Sequence, residues 1–225
     1  MIGFVRGLPT RRVPAGQAMF TVLSNPLVVI ALIGNLLITL AMEIVYIFSA
    51  AVTGRTGTSL AIVLLAFGTT AIGGNYLGGR LADRYGIGAA GSIGTAVLAG
   101  VLCLLVLADS NYVLAVAGFA ALGAASYMVL IPRQYQLITL APEVATVSLS
   151  WFTTAMYMGI GLAPVIGAQL VPRGGPAIAL EGRVVACLAL ALFVLGLLLQ
   201  RRLPTRTTTA DATVEARESV AETPR

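Results

Sequence analysis

The charged residues are the side chains best placed to do chemistry here, because they stand among long apolar runs. Arg80, Asp83 and Arg84 form a charged island bounded by glycines, in the segment GGRLADRYG of residues 78–86. Arginines can hold such a segment at an anionic membrane surface. Asp83 can cap the next helix, where the helix dipole favours a carboxylate, or pair with an arginine. The island predicts a tight turn between two helices, whose charges either form ion pairs or only anchor the segment.

Glu43 is the only carboxylate deep inside an apolar run, where an ionised side chain is costly unless it has a partner or faces a polar interior. Asn35, Thr39, Glu43 and Tyr46 recur at helical spacing and give this segment one polar face. On such a face Glu43 could bind a proton or attract a cationic substrate in a central cavity. Alternatively, the helix places Glu43 near the outer face of the membrane, where its side chain reaches water. The spacing leaves both interpretations open.

The residues that metal sites, enzyme active sites and nucleic-acid sites usually need are missing from this sequence. The chain has no histidine, and its two cysteines, Cys103 and Cys187, stand in the middle of apolar runs, so we expect no metal site and no cofactor. No catalytic serine–histidine set or pair of carboxylates lies at membrane depth, which argues against an enzyme. No basic cluster with interleaved aromatic residues indicates nucleic-acid binding.

Composition predicts the fold class. The chain is 58% hydrophobic and 10% charged, against roughly 25% charged for an ordinary soluble domain. A helix needs about 20 apolar residues to cross the hydrocarbon core of a bilayer, and lipid offers no partner to an unpaired backbone group. We therefore predict an all-α polytopic membrane protein with six transmembrane helices in a lipid bilayer. The predicted spans are about 27–52, 57–79, 87–108, 111–136, 144–171 and 179–201.

The arginines predict the orientation of these spans. Three of them, Arg55, Arg173 and Arg183, fall on one side. Nine fall on the side of the two termini: Arg6, Arg11, Arg12, Arg80, Arg84, Arg133, Arg201, Arg202 and Arg206. The excess of positive charge places both termini in the cytoplasm. Residues 1–26 then form a cytoplasmic linker-like segment, and residues 202–225, which lack an apolar stripe, form a disordered cytoplasmic tail.

Small residues and prolines predict how the helices pack. Gly74-xxx-Gly78 and Ala163-xxx-Gly167 are small-xxx-small patterns, which let helix backbones approach closely in lipid. Pro164 lies well inside the fifth span and predicts a kink. Asn75 is expected to make an interhelical hydrogen bond.

Taken together, these motifs resemble the C-terminal half of bacterial drug and sugar efflux proteins, which are drug:proton antiporters of the major facilitator superfamily. The residues 64–68, Gly74-Asn75 and the island 78–84 resemble that family's eighth helix and the loop after it. Further matches are Ser24-Asn25-Pro26 and Tyr46 with the seventh helix, Leu140-Ala141-Pro142-Glu143 with the loop before the eleventh, and Met158-Gly159-Ile160-Gly161 with Gly167 in the eleventh itself. The resemblance covers about residues 20–200.

The resemblance implies a function. Family members have twelve spans in two six-helix halves with the substrate site between them, so the six spans here correspond to one half. It implies proton-coupled efflux of a small molecule, such as a drug or sugar, by alternating access in a bacterial inner membrane. It also implies a second six-helix half as partner, which is either a second copy of the chain or a separate N-terminal half. The alternative is a non-transporting remnant or an assembly or regulatory partner.

The same resemblance assigns a role to the charged island. In the family, the residues corresponding to Gly79, Arg80, Asp83, Arg84 and Gly86 form a cytoplasmic gating motif. Glu143, in the other cytoplasmic loop, could complete a charge network with its arginines. Such networks close the cytoplasmic side and break when the transporter opens inward.

Overall fold

The computed structural model describes residues 22–105, 111–140 and 144–202 of the chain. Residues 1–21 of the predicted linker, 1–26, and residues 203–225 of the predicted tail, 202–225, lie outside the described residues. Within the described ranges the secondary structure is helical and contains no strand. The predicted all-α class is confirmed.

Residues 22–24 are helical, and seven helices with both ends among the described residues follow them; six of these are long and apolar enough to cross a membrane. The prediction of six spans is therefore confirmed, although several boundaries differ by a few residues. The helices are α1 Pro26–Ile47, α2 Ser49–Thr53, α3 Gly57–Tyr85, α4 Ile87–Leu104, α5 Tyr112–Leu140, α6 Ala145–Leu170 and α7 Gly175–Arg202. A 3-10 turn, Val171–Arg173, joins α6 to α7.

The first span is a long helix followed by a short one. Asn25 caps α1, since its side-chain oxygen accepts a 3.0 Å hydrogen bond from the Leu27 backbone N–H, and Pro26 occupies the first turn, where it has no N–H to lose. Phe48 interrupts the helix after Ile47, and α2 ends at Gly54 with φ 63°. The predicted span 27–52 is thus divided between α1 and α2.

The charged island is helical, which corrects the prediction of a tight turn over residues 78–86. Helix α3 continues to Tyr85, so Arg80, Asp83 and Arg84 lie on its last two turns. Only Gly86, with φ 82° and ψ 159°, separates α3 from α4, and no side chain caps the start of α4. Leucine, alanine and arginine are good helix formers, so the backbone turns only where a glycine permits positive φ. Asp83 consequently does not cap the next helix.

Helix α1 lies at the centre of the bundle, where it packs against α6 and α7. Helix α3 packs along α5, and α4 packs against both α5 and α7. Buried side chains from α1, α4, α5 and α7 form the main apolar core, which includes Ile44, Leu102, Phe119 and Val185. In contrast, outward-facing side chains such as Ile72 and Val113 are 76% and 69% exposed. This arrangement suits lipid, which accepts apolar side chains on the outside of the bundle.

Helices α3 and α5 approach most closely at glycines. A Cβ on Gly74 would collide with the backbone of Ala124, and one on Gly78 would collide with the backbone of Met128. Gly123 on α5 lies in the same way against the backbone of Phe67. Backbone-to-backbone contact of this kind requires glycine on at least one side. Gly79, by contrast, has open space where a Cβ would be.

Candidate functional site

A cavity of about 250 Å³ opens between α1, α4, α5 and α6. Most of its lining is aliphatic, and its polar and charged groups come from three helices. Helix α1 contributes Asn35, Thr39 and Glu43, α5 contributes Ser126, Tyr127 and Arg133, and α6 contributes Tyr157. A mostly apolar pocket with a few convergent polar groups is the usual form of a small-molecule site.

The polar face predicted on α1 reaches the cavity with three of its four members. Asn35 and Thr39 are buried, at 3% and 7% exposure, whereas Glu43 is partly exposed. Glu43 lies four residues before the end of α1, so it lines the cavity close to the end of the bundle that carries Gly54. Tyr46 points elsewhere, since its ring packs against Phe67 of α3 with 4.7 Å between ring centroids.

Asn35 holds α1 against α6. Its side-chain amide donates a 3.1 Å hydrogen bond to the backbone carbonyl of Phe152. One turn further along the same interface, a Cβ on Gly159 would lie 2.8 Å from the Leu36 carbonyl oxygen and 3.0 Å from the Thr39 Cβ. The amide is therefore committed to helix packing, while Thr39 and Glu43 border the open space.

Arg133, Ser126 and Tyr127 of α5 line the cavity but were not predicted to do so, and Arg133 is the charged one. Its side chain is 4% exposed, and its Nη2 donates a 3.1 Å hydrogen bond to the Thr95 hydroxyl of α4. On α1, a Cβ on Gly34 would lie 3.0 Å from the Arg133 Nη1. Arg133 falls near the end of the predicted span 111–136 and was counted only as an arginine on the side of the termini, yet α5 continues for seven residues beyond it. Residues 134–140 carry no charge, and this signal could have extended the predicted span by one turn.

The arginines of the charged island contact tyrosines. Arg80 Nη1 donates a 2.9 Å hydrogen bond to the Tyr76 hydroxyl, and the Arg84 guanidinium lies 5.4 Å from the centre of the Tyr85 ring. Asp83 borders a second, wider groove of about 780 Å³, which Gly79 and residues of α5 also line. Glu143 lies outside the described residues, so the ion-pair network between the two loops stays a prediction.

The remaining packing residues lie on α3 and α6. Asn75 is exposed on the surface of α3, and its interhelical hydrogen bond stays a prediction. Helix α6 continues through Pro164, which is also exposed. Gly167 faces the Phe48 ring so closely that a Cβ would collide with it. This contact packs α6 against Phe48, the residue that separates α1 from α2.

Comparison with known proteins indicates the family. The sequence model of the Major Facilitator Superfamily matches residues 10–224. A curated relative, the "Inner membrane transport protein YdhP" of Escherichia coli O157:H7, is 29% identical over 185 residues. The match covers 80% of this chain and 47% of that relative, so the chain spans about half the relative's length.

Proposed function

The chain belongs to the major facilitator superfamily, and on that premise we propose that it forms the C-terminal six-helix half of a transporter. The transporter exports a small molecule across a bacterial inner membrane by alternating access and takes protons inward in exchange. Both termini are cytoplasmic in this proposal. The inner-membrane location draws on the relative named above. The half assignment draws on the order of motifs along the chain.

The observation that carries the proposal is the cavity between α1, α4, α5 and α6, with a carboxylate on its wall. An ionisable side chain at membrane depth costs free energy, and such residues within membrane spans commonly mark ion or substrate pathways. Thr39 and Glu43 lie one turn apart on α1 and face this space. The cavity wall therefore has both an apolar surface for a small organic molecule and polar groups to orient it.

Glu43 is the residue that we assign to proton transfer. A carboxyl group within a membrane cavity can take up a proton when the cavity opens to one side and release it when the cavity opens to the other. The position of Glu43, four residues from the end of α1, gives it access to the Gly54 end of the bundle. No other carboxylate among the described residues borders this cavity.

Proton release in everted membrane vesicles tests this function. The vesicles come from cells that express the chain together with the genomic segment directly upstream of its coding sequence. Respiration acidifies the lumen, and a pH-sensitive dye reports protons that leave when a compound is added. The compounds are an aromatic carboxylate, 2-naphthoate, an aromatic cation, ethidium, and a sugar, arabinose. We expect at least one to release protons, and Glu43→Gln to abolish the release.

Glu181→Gln is the matched control, because Glu181 is the only other glutamate among the described residues and does not border the cavity. It should leave proton release unchanged. Equal release in Glu43→Gln and in the unaltered chain would overturn the role of Glu43. No release with any of the three compounds, at normal protein levels, would overturn proton-coupled export and favour a non-transporting remnant.

A second six-helix half is part of the proposal, since the cavity is open on one side. Tyr157 borders this opening and is 63% exposed. We expect a cysteine at Tyr157, in a chain whose Cys103 and Cys187 are replaced by serine, to crosslink in membranes. The product is either a dimer of the chain or a complex with the upstream half. A cysteine at Leu188, which is 54% exposed on α7, is the control. Equal crosslinking at both positions would contradict the proposal that a second half covers the cavity opening.

A further inference from the structure

We propose that Arg133 forms an anion-binding end of the cavity, and that the transported molecule carries a carboxylate, sulfonate or phosphate group on an apolar body. This inference rests on the proposed transport function for its biological meaning. Its physical basis is separate, since it depends on the seat that three helices build around one guanidinium.

The seat of the Arg133 guanidinium is formed by α1, α4 and α5. Thr95 of α4 accepts a 3.1 Å hydrogen bond from Nη2. Gly34 of α1 leaves room for Nη1, because a Cβ at that position would lie only 3.0 Å away. Pro132 precedes the arginine inside α5 and is itself buried, so the backbone lacks one N–H at this level. The guanidinium is thus held in a fixed place at the cavity wall.

A guanidinium fixed in this way is suited to an anionic group. It carries five N–H donors in a planar fork, which is more than the single hydrogen bond to Thr95 uses. The fork matches the two oxygens of a carboxylate or phosphate, and the resulting charge-assisted hydrogen bonds are about twice as strong as neutral ones. A low-dielectric, mostly apolar cavity strengthens them further.

The cavity also separates the arginine from the carboxylate. Arg133 is level with Gly34, and Glu43 lies nine residues further along α1, which is roughly 13 Å at a rise of 1.5 Å per residue. An anionic group at Arg133 therefore does not meet the Glu43 carboxylate. The space between them is lined largely by aliphatic side chains such as Ile38, Met42 and Ile160. This arrangement fits an amphiphilic anion whose apolar body extends from Arg133 towards Glu43.

Equilibrium binding to the full chain in detergent tests the inference. The probes are 2-naphthoate and its uncharged analogue 2-naphthamide, which share the apolar ring system. Binding is measured as the rise in melting temperature, followed by the fluorescence of the single tryptophan, Trp151. We expect 2-naphthoate to stabilise the chain and 2-naphthamide to do so at least about 10-fold more weakly in dissociation constant. Arg133→Gln should remove this difference, and Arg173→Gln, at an exposed arginine outside the cavity, should keep it.

A measurement of folding and a second variant distinguish loss of the anion site from loss of the folded chain. Circular dichroism establishes that Arg133→Gln is still helical, and Arg133→Lys, which keeps the charge but loses the fork, should bind 2-naphthoate several-fold more weakly. Equal stabilisation by the acid and the amide would overturn the inference, as would undiminished binding of the acid to both Arg133 variants. Binding needs no proton gradient. Absence of anion selectivity in the unaltered chain therefore overturns this inference alone, whereas absence of Glu43-dependent proton release in the vesicles overturns the proposed function alone.

Discussion

Replacing Gly74 by alanine should separate two helices that now touch through their backbones. A Cβ at this position would lie 2.7 Å from both the Cα and the carbonyl carbon of Ala124. Ordinary contact between carbon atoms is at about 3.5–4.0 Å. The helices must therefore move apart by roughly 1 Å at this point, because a backbone cannot turn aside as a flexible side chain can.

The expected magnitude follows from the length of the α3–α5 contact. Gly78 and Gly123 belong to the same interface, so a shift at Gly74 also loosens their contacts. Overpacking of this kind costs about 1–3 kcal/mol. For a chain of this size, each kcal/mol lowers the melting temperature by about 2–4 °C, so we expect a fall of roughly 2–12 °C. Thermal unfolding in detergent, followed by tryptophan fluorescence, measures it.

Gly73→Ala is the matched control for this experiment. Gly73 precedes Gly74 on the same helix, and a Cβ there would have no atom within 4 Å. Alanine is the better helix former, so this variant should melt at the same temperature as the unaltered chain or above it. If Gly74→Ala were as stable as Gly73→Ala, the close backbone contact between α3 and α5 would not be a stabilising feature, and the reasoning would fail.

Two further predictions concern the junction after α3 and the orientation of the bundle. Gly86→Ala should lower the free energy of unfolding by about 1–3 kcal/mol, because φ 82° with ψ 159° is nearly restricted to glycine. Gly79→Ala, in open space on the same helix, should not lower it, and equal denaturation midpoints would contradict the argument. In a chain without native cysteines, a membrane-impermeant maleimide should label a cysteine at Thr56 from outside intact cells and one at Arg84 only in everted vesicles. Labelling of both from the same side would refute the proposed orientation.

The six spans could be predicted from the sequence because lipid imposes a simple condition. Each crossing needs about 20 apolar residues in a helix, whatever its neighbours are. The same local condition made the polar face on α1 predictable, since Asn35, Thr39 and Glu43 recur at helical spacing. These features depend on residues that are close together in the chain.

The charged island is a feature whose structure differs from the prediction made from its local sequence. Its charges favour a turn outside the hydrocarbon region, because charge is costly in lipid. However, α3 continues through them to Tyr85, because a helix that leaves the hydrocarbon region need not end there. Only Gly86, with its positive φ, breaks the helix. The glycine is visible in the sequence, and its backbone conformation, not the charge before it, decides where the helix ends.

What the sequence alone determined is thus the number of helices, their apolar character and the polar face of α1. Only the tertiary structure decided which polar side chains share one cavity. In the packed bundle the Tyr46 ring contacts Phe67 and does not line the cavity. Arg133 donates a hydrogen bond to Thr95, which is 38 residues away in the chain. The reason is physical, since the cost of a buried guanidinium depends on hydrogen-bond partners and space that other helices supply. Those partners belong to the packed bundle and leave no periodic pattern in the segment that carries the arginine.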